Sequence, residues 1–268
     1  MVFVIAEAGV NHNGDVDIAH KLVEAAASAG ADAVKFQTFD AERLDPPGAR
    51  REMLAKLQLS HEAHFALKKQ AMDLGIEFMS TPFDLDSLRF LVEDVMVGTL
   101  KIGSGQLDNA PLLEAARMSP CHLIVSTGMA TMEDVGRARG ELRRGIMLHC
   151  TSAYPAPPAD INLRAMVAMR EKLGCPVGLS DHTDSTAIPI AAVALGAEVI
   201  EKHLTLDPWM RGPDHAASLD PHRFSAMVTG IRSVELALGD GVKRPQASEA
   251  GAIEIAAERR AWREKNAS

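Results

Sequence analysis

Aromatic side chains are scarce in this 268-residue sequence: one Tyr, two Trp and an aromatic share of only 4%. With a formal charge of -8, and no Lys/Arg block interleaved with stacking rings, the composition excludes a nucleic-acid surface. Cysteine is nearly as sparse. Cys121, Cys150 and Cys175 are odd in number, lie in apolar strand contexts and have no metal-ligand spacing, which excludes a disulfide scaffold and a thiolate zinc site. They read as reduced core residues of a cytoplasmic protein. No apolar run approaches the roughly 20 residues of a membrane helix. The apolar start has no basic leader and meets Glu7 early, so it reads as a buried first strand and not as a signal peptide. A Gly-x-Gly-x-x-Gly turn after that strand is also missing, because Asn11-His12-Asn13 interrupts Gly9 and Gly14. Small anions remain admissible, since a local cationic pocket can exist inside an acidic protein.

What is present is alternation. A short apolar run followed by a helical pattern recurs eight times up to about Gly239. The predicted strands cover 2–6, 33–37, 77–80, 99–102, 122–126, 146–149, 177–179 and 198–202. The predicted helices cover 17–29, 60–74, 86–94, 111–118, 132–143, 163–173, 186–195 and 221–238. Strands alternating with helices imply a parallel sheet, and eight units of this length imply a (β/α)8 TIM barrel of class α/β over residues 1–240. Residues 241–268 form a loop and a short C-terminal helical tail, with Ile253, Ile255 and Trp262 expected to pack on the barrel's outside or at an oligomer interface.

Polar residues gather after the strands, on the barrel face where active sites are built. His182 in Leu179-Ser180-Asp181-His182-Thr183 and His203 in Glu201-Lys202-His203-Leu204-Thr205 each follow a strand and are one repeat apart. Neighbouring strand ends then offer two neutral nitrogens to one divalent ion. Closure sets the first strand beside the eighth, so Glu7 can face His203; a carboxylate there is costly unless paired or working. Lys35 and Lys101 end strands two and four. Side-chain alternation lets Gln37 point with Lys35 and turns Lys202 away from His203, leaving Lys202 to packing. Ser80-Thr81, Gly103-Ser104-Gly105, Ser126-Thr127-Gly128 and Ser180 add short donors and close backbone approaches, company that suits a phosphate. His12 and His149 read as residues beside the site, His215 as a candidate sugar contact, and His61, His64 and His222 as residues at exposed helix starts.

These motifs, with Ile5-Ala6-Glu7-Ala8-Gly9-Val10-Asn11-His12-Asn13-Gly14, Val34-Lys35-Phe36-Gln37-Thr38, Ser126-Thr127-Gly128-Met129 and His149-Cys150-Thr151-Ser152-Ala153-Tyr154-Pro155, together resemble the barrel domain of the sialic acid (N-acetylneuraminate) synthase family. The likeness runs from about Ile5 to Glu249. It implies that phosphoenolpyruvate condenses with an amino sugar such as N-acetylmannosamine to give a nine-carbon 2-keto sugar acid and phosphate. The implied cofactor is a divalent metal, Mn2+ with Mg2+ or Co2+ as alternatives. By position, the resemblance makes His182 and His203 the metal ligands and Glu7 the acid/base. It sets Lys35, Thr81, Lys101, Ser104 and Ser180 around phosphoenolpyruvate, and Gln37, Tyr154 and Asp214 towards the sugar. Ser152 stands where some members of the family have asparagine near phosphoenolpyruvate. The resemblance also implies a homodimer and, beyond the barrel, a small antifreeze-like cap: either the cap is a separate chain, the sequence is truncated before it, or the acceptor differs and the tail after Ser248 does another job.

Two other readings compete. A Schiff-base aldolase or lyase acting on a 2-keto acid would use Lys101, and a non-catalytic sugar-binding barrel would need a partner chain. The metal reading has a direct test. Chelation is expected to abolish turnover reversibly, and full activity in exhaustively chelated protein would contradict it.

Overall fold

A computed structural model describes residues 1–267. In chain order the elements are β1 (Phe3–Gly9), α1 (Val16–Ser28), β2 (Ala33–Thr38), α2 (Ala41–Leu44), α3 (Ala49–Leu57), α4 (His61–Asp73), β3 (Glu77–Pro82) and α5 (Leu85–Arg89). There follow β4 (Thr99–Ile102), α6 (Ala110–Met118), β5 (His122–Ser126), α7 (Met132–Leu142), β6 (Ile146–Cys150), α8 (Leu163–Leu173), β7 (Val177–Asp181), α9 (Ala187–Ala194), β8 (Val199–His203), α10 (Pro221–Ala237) and α11 (Ala250–Lys265). The strands close in sequence order into a parallel barrel, with β1 paired to β8. The expected fold class is therefore what the chain adopts. Its two compact units are Met1–Glu235 and the described residues from Leu236 onward. No helix among the described residues is long and apolar enough to cross a membrane.

Local sequence explains the elements. The strands are buried on both faces, as a parallel sheet wrapped by helices requires. Helices begin where a short polar side chain can take up free amides. Asp15 accepts from Asp17 and Ile18, Ser60 from Ala63, and Thr131 and Asp134 form a reciprocal capping box. Gly178 admits no side chain, because a Cβ there would stand 2.2 Å from the Val199 carbonyl oxygen. That absence lets β7 and β8 approach.

Strands β1, β3, β7 and β8 run further than the apolar runs suggest and carry Glu7, Thr81, Asp181 and His203 inside the sheet. Between β2 and β3 the sequence reading anticipates one helix, the present α4, yet α2 and α3 precede that helix. They hold a small separate core of Val10, Phe39, Ala41 and Leu57, joined by Leu44, Leu54 and Phe83. His64 corrects the expectation of an exposed helix start. It is buried in α4, with Nε2 2.8 Å from Thr38 Oγ1 and Nδ1 2.8 Å from the Ser60 carbonyl.

Lys202 is wholly buried and faces away from the barrel interior. Its ammonium pairs with Asp181 at 2.7 Å and donates to the Thr183 carbonyl, tying β8 to the end of β7. Breaking one partner of such a pair strands a charge. Lys202→Met is expected to lower unfolding stability by about 3–5 kcal/mol, read from the urea midpoint. A loss below ~1 kcal/mol would show that the pair does not hold these strands.

Candidate active site

The C-terminal ends of the strands surround a cavity of about 350 Å³. Glu7, Lys35, Gln37, Thr81, Lys101, Ser104, Ser152, Tyr154, Ser180, His182 and His203 all line it. Asp214 stands behind the wall, its Oδ2 3.9 Å from His203 Nδ1. The register explains the convergence: Glu7 lies opposite Lys35 on one side and His203 on the other.

At the floor, four ionisable groups meet out of water: Glu7, Lys35, Lys101 and Glu201, none more than 5% exposed. Lys35 Nζ lies 2.5 Å from Glu7, 3.7 Å from Glu201 and 2.9 Å from Thr81 Oγ1. Lys101 Nζ lies 3.6 Å from Glu201 and donates to Ser126. Ser180 donates to Glu201 at 2.9 Å. Burial alone would neutralise the Glu201 carboxylate, but Lys101 and Lys35 reverse this and hold it below its ordinary value. Burial likewise opposes the charge on Lys35, where Glu201 and Glu7 more than offset it and raise the ammonium's pKa. For Lys101 burial prevails over Glu201, and the pKa falls. Glu7 is pushed up to about 7 by burial, against the pull of Lys35. A carboxyl group that changes charge near neutrality suits proton transfer.

A second cluster occupies the wall. Gly9 adopts a left-handed conformation with φ +52°, and a Cβ there would lie 3.2–3.3 Å from Glu7 Oε1, Gln37 Nε2 and Asp214 Oδ2. Gln37 Nε2 is 3.4 Å from Glu7 Oε1. Burial pushes Asp214 up to about 6, with Lys35 opposing. At the other side a Cβ on Gly128 would come within 2.2 Å of Ser152 Oγ and 3.0 Å of Ser104 Oγ. The Gly128 amide donates to Ser104 at 2.8 Å, leaving a compact group of short hydroxyls.

The two imidazoles stand 5.4 Å apart between ring centres, and the Tyr154 ring lies 4.1 Å from His182 and 5.7 Å from His203. His182 Nδ1 is 2.8 Å from the Thr151 carbonyl, which can only accept, so the proton is on Nδ1 and the lone pair on Nε2. Burial lowers the pKa of both rings and keeps them neutral. His203 Nδ1 is buried with no hydrogen-bond partner. Among the described residues no three His, Cys, Asp or Glu side chains come together as a metal site. Two neutral nitrogens fit a divalent ion that takes its remaining ligands from water and substrate, as catalytic metals do.

Sequence reasoning missed Glu201, although alternation along β8 sets it on the same face as His203. It also missed Arg50, which α3 brings to the cavity's edge paired with Asp45 at 2.8 Å, as well as Cys150 and Met129, whereas Ser126, read among the short donors, does line the cavity. Arg50 had no signal, because its helix was not anticipated. Of the other histidines, His149 reaches the Ile161 carbonyl, and His12 accepts from the Gly14 amide at 3.0 Å. His215, the candidate sugar contact, is fully buried against Thr205 Oγ1 at 2.7 Å and is not among the residues that line the cavity.

A closed parallel barrel with lysines, hydroxyls, a near-neutral carboxyl and paired imidazoles at its C-terminal mouth defines a barrel enzyme for a small anionic substrate. The NeuB family model matches residues 22–243, and the chain belongs to that family. It is 44% identical to the N,N'-diacetyllegionaminic acid synthase of Legionella pneumophila, over 92% of this chain and 76% of that protein. With the enzyme of the same name from Campylobacter jejuni it shares 43%, over 94% and 82%. The crystal structure of N-acetylneuraminic acid (sialic acid) synthetase from Leptospira borgpetersenii superposes with a TM-score of 0.88 at 37% identity, covering 95% of this chain and 90% of that one.

The lysine floor carries its own test. Calorimetric titration with inorganic phosphate is expected to give binding that Lys101→Met weakens about tenfold or more. Unchanged affinity in that variant would remove Lys101 from the anion's environment.

Proposed function

We propose that the chain is a phosphoenolpyruvate-dependent condensing synthase. It joins phosphoenolpyruvate to an N-acylated amino sugar and yields a nine-carbon 2-keto sugar acid and phosphate. The observation that carries this reading is the floor of the mouth, where two buried lysines flank a buried carboxylate beside a carboxyl group that titrates near neutrality. The relatives named for diacetyllegionaminic acid and sialic acid support it.

Phosphoenolpyruvate brings a phosphate and a carboxylate into a space with two ammonium groups, so its charge is matched while water is excluded. Lys35 and Lys101 hold the anion; Thr81, Ser104, Ser152 and Ser180 supply short hydroxyls. Gln37 and Tyr154, which line the cavity, and Asp214, behind its wall, orient the open-chain sugar. C3 of the enol attacks the sugar aldehyde carbon and forms the new C–C bond; water then adds at C2 and phosphate departs with its bridging oxygen. Glu7, adjacent to both Lys35 and Gln37, gives and takes the protons these steps exchange. A divalent ion, Mn2+ with Mg2+ or Co2+ as alternatives, would be held by His182 and His203 and would supply a Lewis acid for the sugar's carbonyl oxygen. Assembly as a homodimer in the cytoplasm belongs to the same proposal.

Lys101 supports a second reading, since its burial-lowered pKa is also what a Schiff-base lysine requires. One assay separates them. Incubation of phosphoenolpyruvate and Mn2+ with a panel of acetamido and diacetamido hexoses is expected to release phosphate only when an acceptor is present. Glu7→Gln should lower kcat by about a hundredfold or more. Acceptor-independent turnover, or pyruvate trapped by borohydride on Lys101, would overturn the proposal.

A further inference from the structure

The barrel has a second mouth. At the N-terminal ends of the strands, opposite the cavity described above, lies a larger one of about 540 Å³, within the usual range for small-molecule sites. Its floor is apolar, formed by Phe3, Ile124, Ile146 and Val199, and its edge carries Arg139, Arg143 and Arg144 from the end of α7 and the turn into β6. The two mouths are divided by one layer of side chains, including Ile5, Met79, Ile124 and Leu148. On β1, for example, Phe3 faces the lower mouth, Ile5 lies in the layer and Glu7 faces the upper one.

The polar groups at this lower mouth are not spent on one another. Arg144 donates to the carbonyls of Ala116, Arg117 and Ser119 and is structural. Arg139 and Arg143 form no ion pair among the described residues, and the neighbouring carboxylates are engaged elsewhere, Glu114 by Arg117 and Asp134 by Arg137. Arg139 Nε and Glu77 Oε1 are buried without a hydrogen-bond partner. A donor and an acceptor left unmet beside an apolar floor are costly unless something supplies the missing contacts. The wall also carries Glu77 and Glu198, so a bare multivalent anion would meet opposing charge.

We propose that the lower mouth is a second ligand site, for a small organic anion with an apolar or aromatic body and one N–H or O–H donor. The anionic head takes Arg139 and Arg143, the body covers Phe3, Ile146 and Val199, and the donor meets Glu77 Oε1. Inorganic phosphate has neither body nor donor and does not satisfy the site.

Anilinonaphthalene sulfonate, an aryl anion with an N–H donor, is the probe. Fluorescence titration of the full chain is expected to give one saturable site that saturating phosphoenolpyruvate does not displace. The double variant Arg139→Gln/Arg143→Gln should weaken it about tenfold or more. Arg143→Gln alone, on an exposed residue, should weaken it less and in the same direction, and Arg164→Gln on α8 should leave it unchanged. Absence of a saturable site, equal affinity in the double and single arginine variants and the parent, or displacement by phosphoenolpyruvate would overturn the proposal.

Discussion

The carboxylate of Glu201, held between Lys35 and Lys101, is the interaction on which the mouth of this barrel depends. Two ammonium groups removed from water would each shed their proton or force the site apart. Glu201 prevents both, with Ser180 as its donor. Glu7 adds compensation of a different kind, because a carboxyl with a pKa of about 7 carries only a partial charge at neutral pH. Lys35 and Lys101 therefore remain short of full neutralisation, and the residual positive character is available to an incoming anion. The desolvation cost is met in folding, before substrate arrives, which is how a site becomes preorganised.

The barrel converts a linear pattern into this arrangement through register. Glu7 pairs with Lys35 across β1 and β2 and with His203 across β1 and β8, so acid, ammonium and imidazole come from three adjacent strands. The β1 register shifts between Glu7 and Gly9, and the left-handed Gly9 that follows clears space where Gln37 and Asp214 approach the same carboxyl. Behind the sheet, Lys202 and Asp181 form a separate pair that never meets the cavity. Adjacent residues on one strand thus point to opposite faces: His203 into the cavity, Lys202 into the pair that ties β8 to β7.

Much of this was legible in the sequence because it rests on periodicity. Eight apolar runs spaced by helical patterns gave the closed barrel, and alternation separated Lys35 and Gln37 from Lys202. The same rule should have given Glu201, two residues before His203. A glutamate inside an apolar strand shows no role by itself, because its lysine partners lie on other strands. The excursion through α2 and α3 was illegible for another reason. Its apolar residues serve a local cluster with Val10 and Phe83, contacts distant in sequence, so its helices show no strong amphipathic period and Arg50 went unseen. His64 looked like a surface residue at a helix start, yet Thr38 and the Ser60 carbonyl satisfy both ring nitrogens and permit its burial. Asp214 came only from resemblance, because the loop that carries it has no regular pattern to place it.

A crystal structure with phosphoenolpyruvate and Mn2+ bound tests the central claim most directly. The account requires the phosphate or carboxylate of the ligand within hydrogen-bond reach of Lys35 and Lys101 Nζ, with the cation on His182 and His203. Phosphoenolpyruvate bound away from both lysines, or a cation held by neither imidazole, would contradict it.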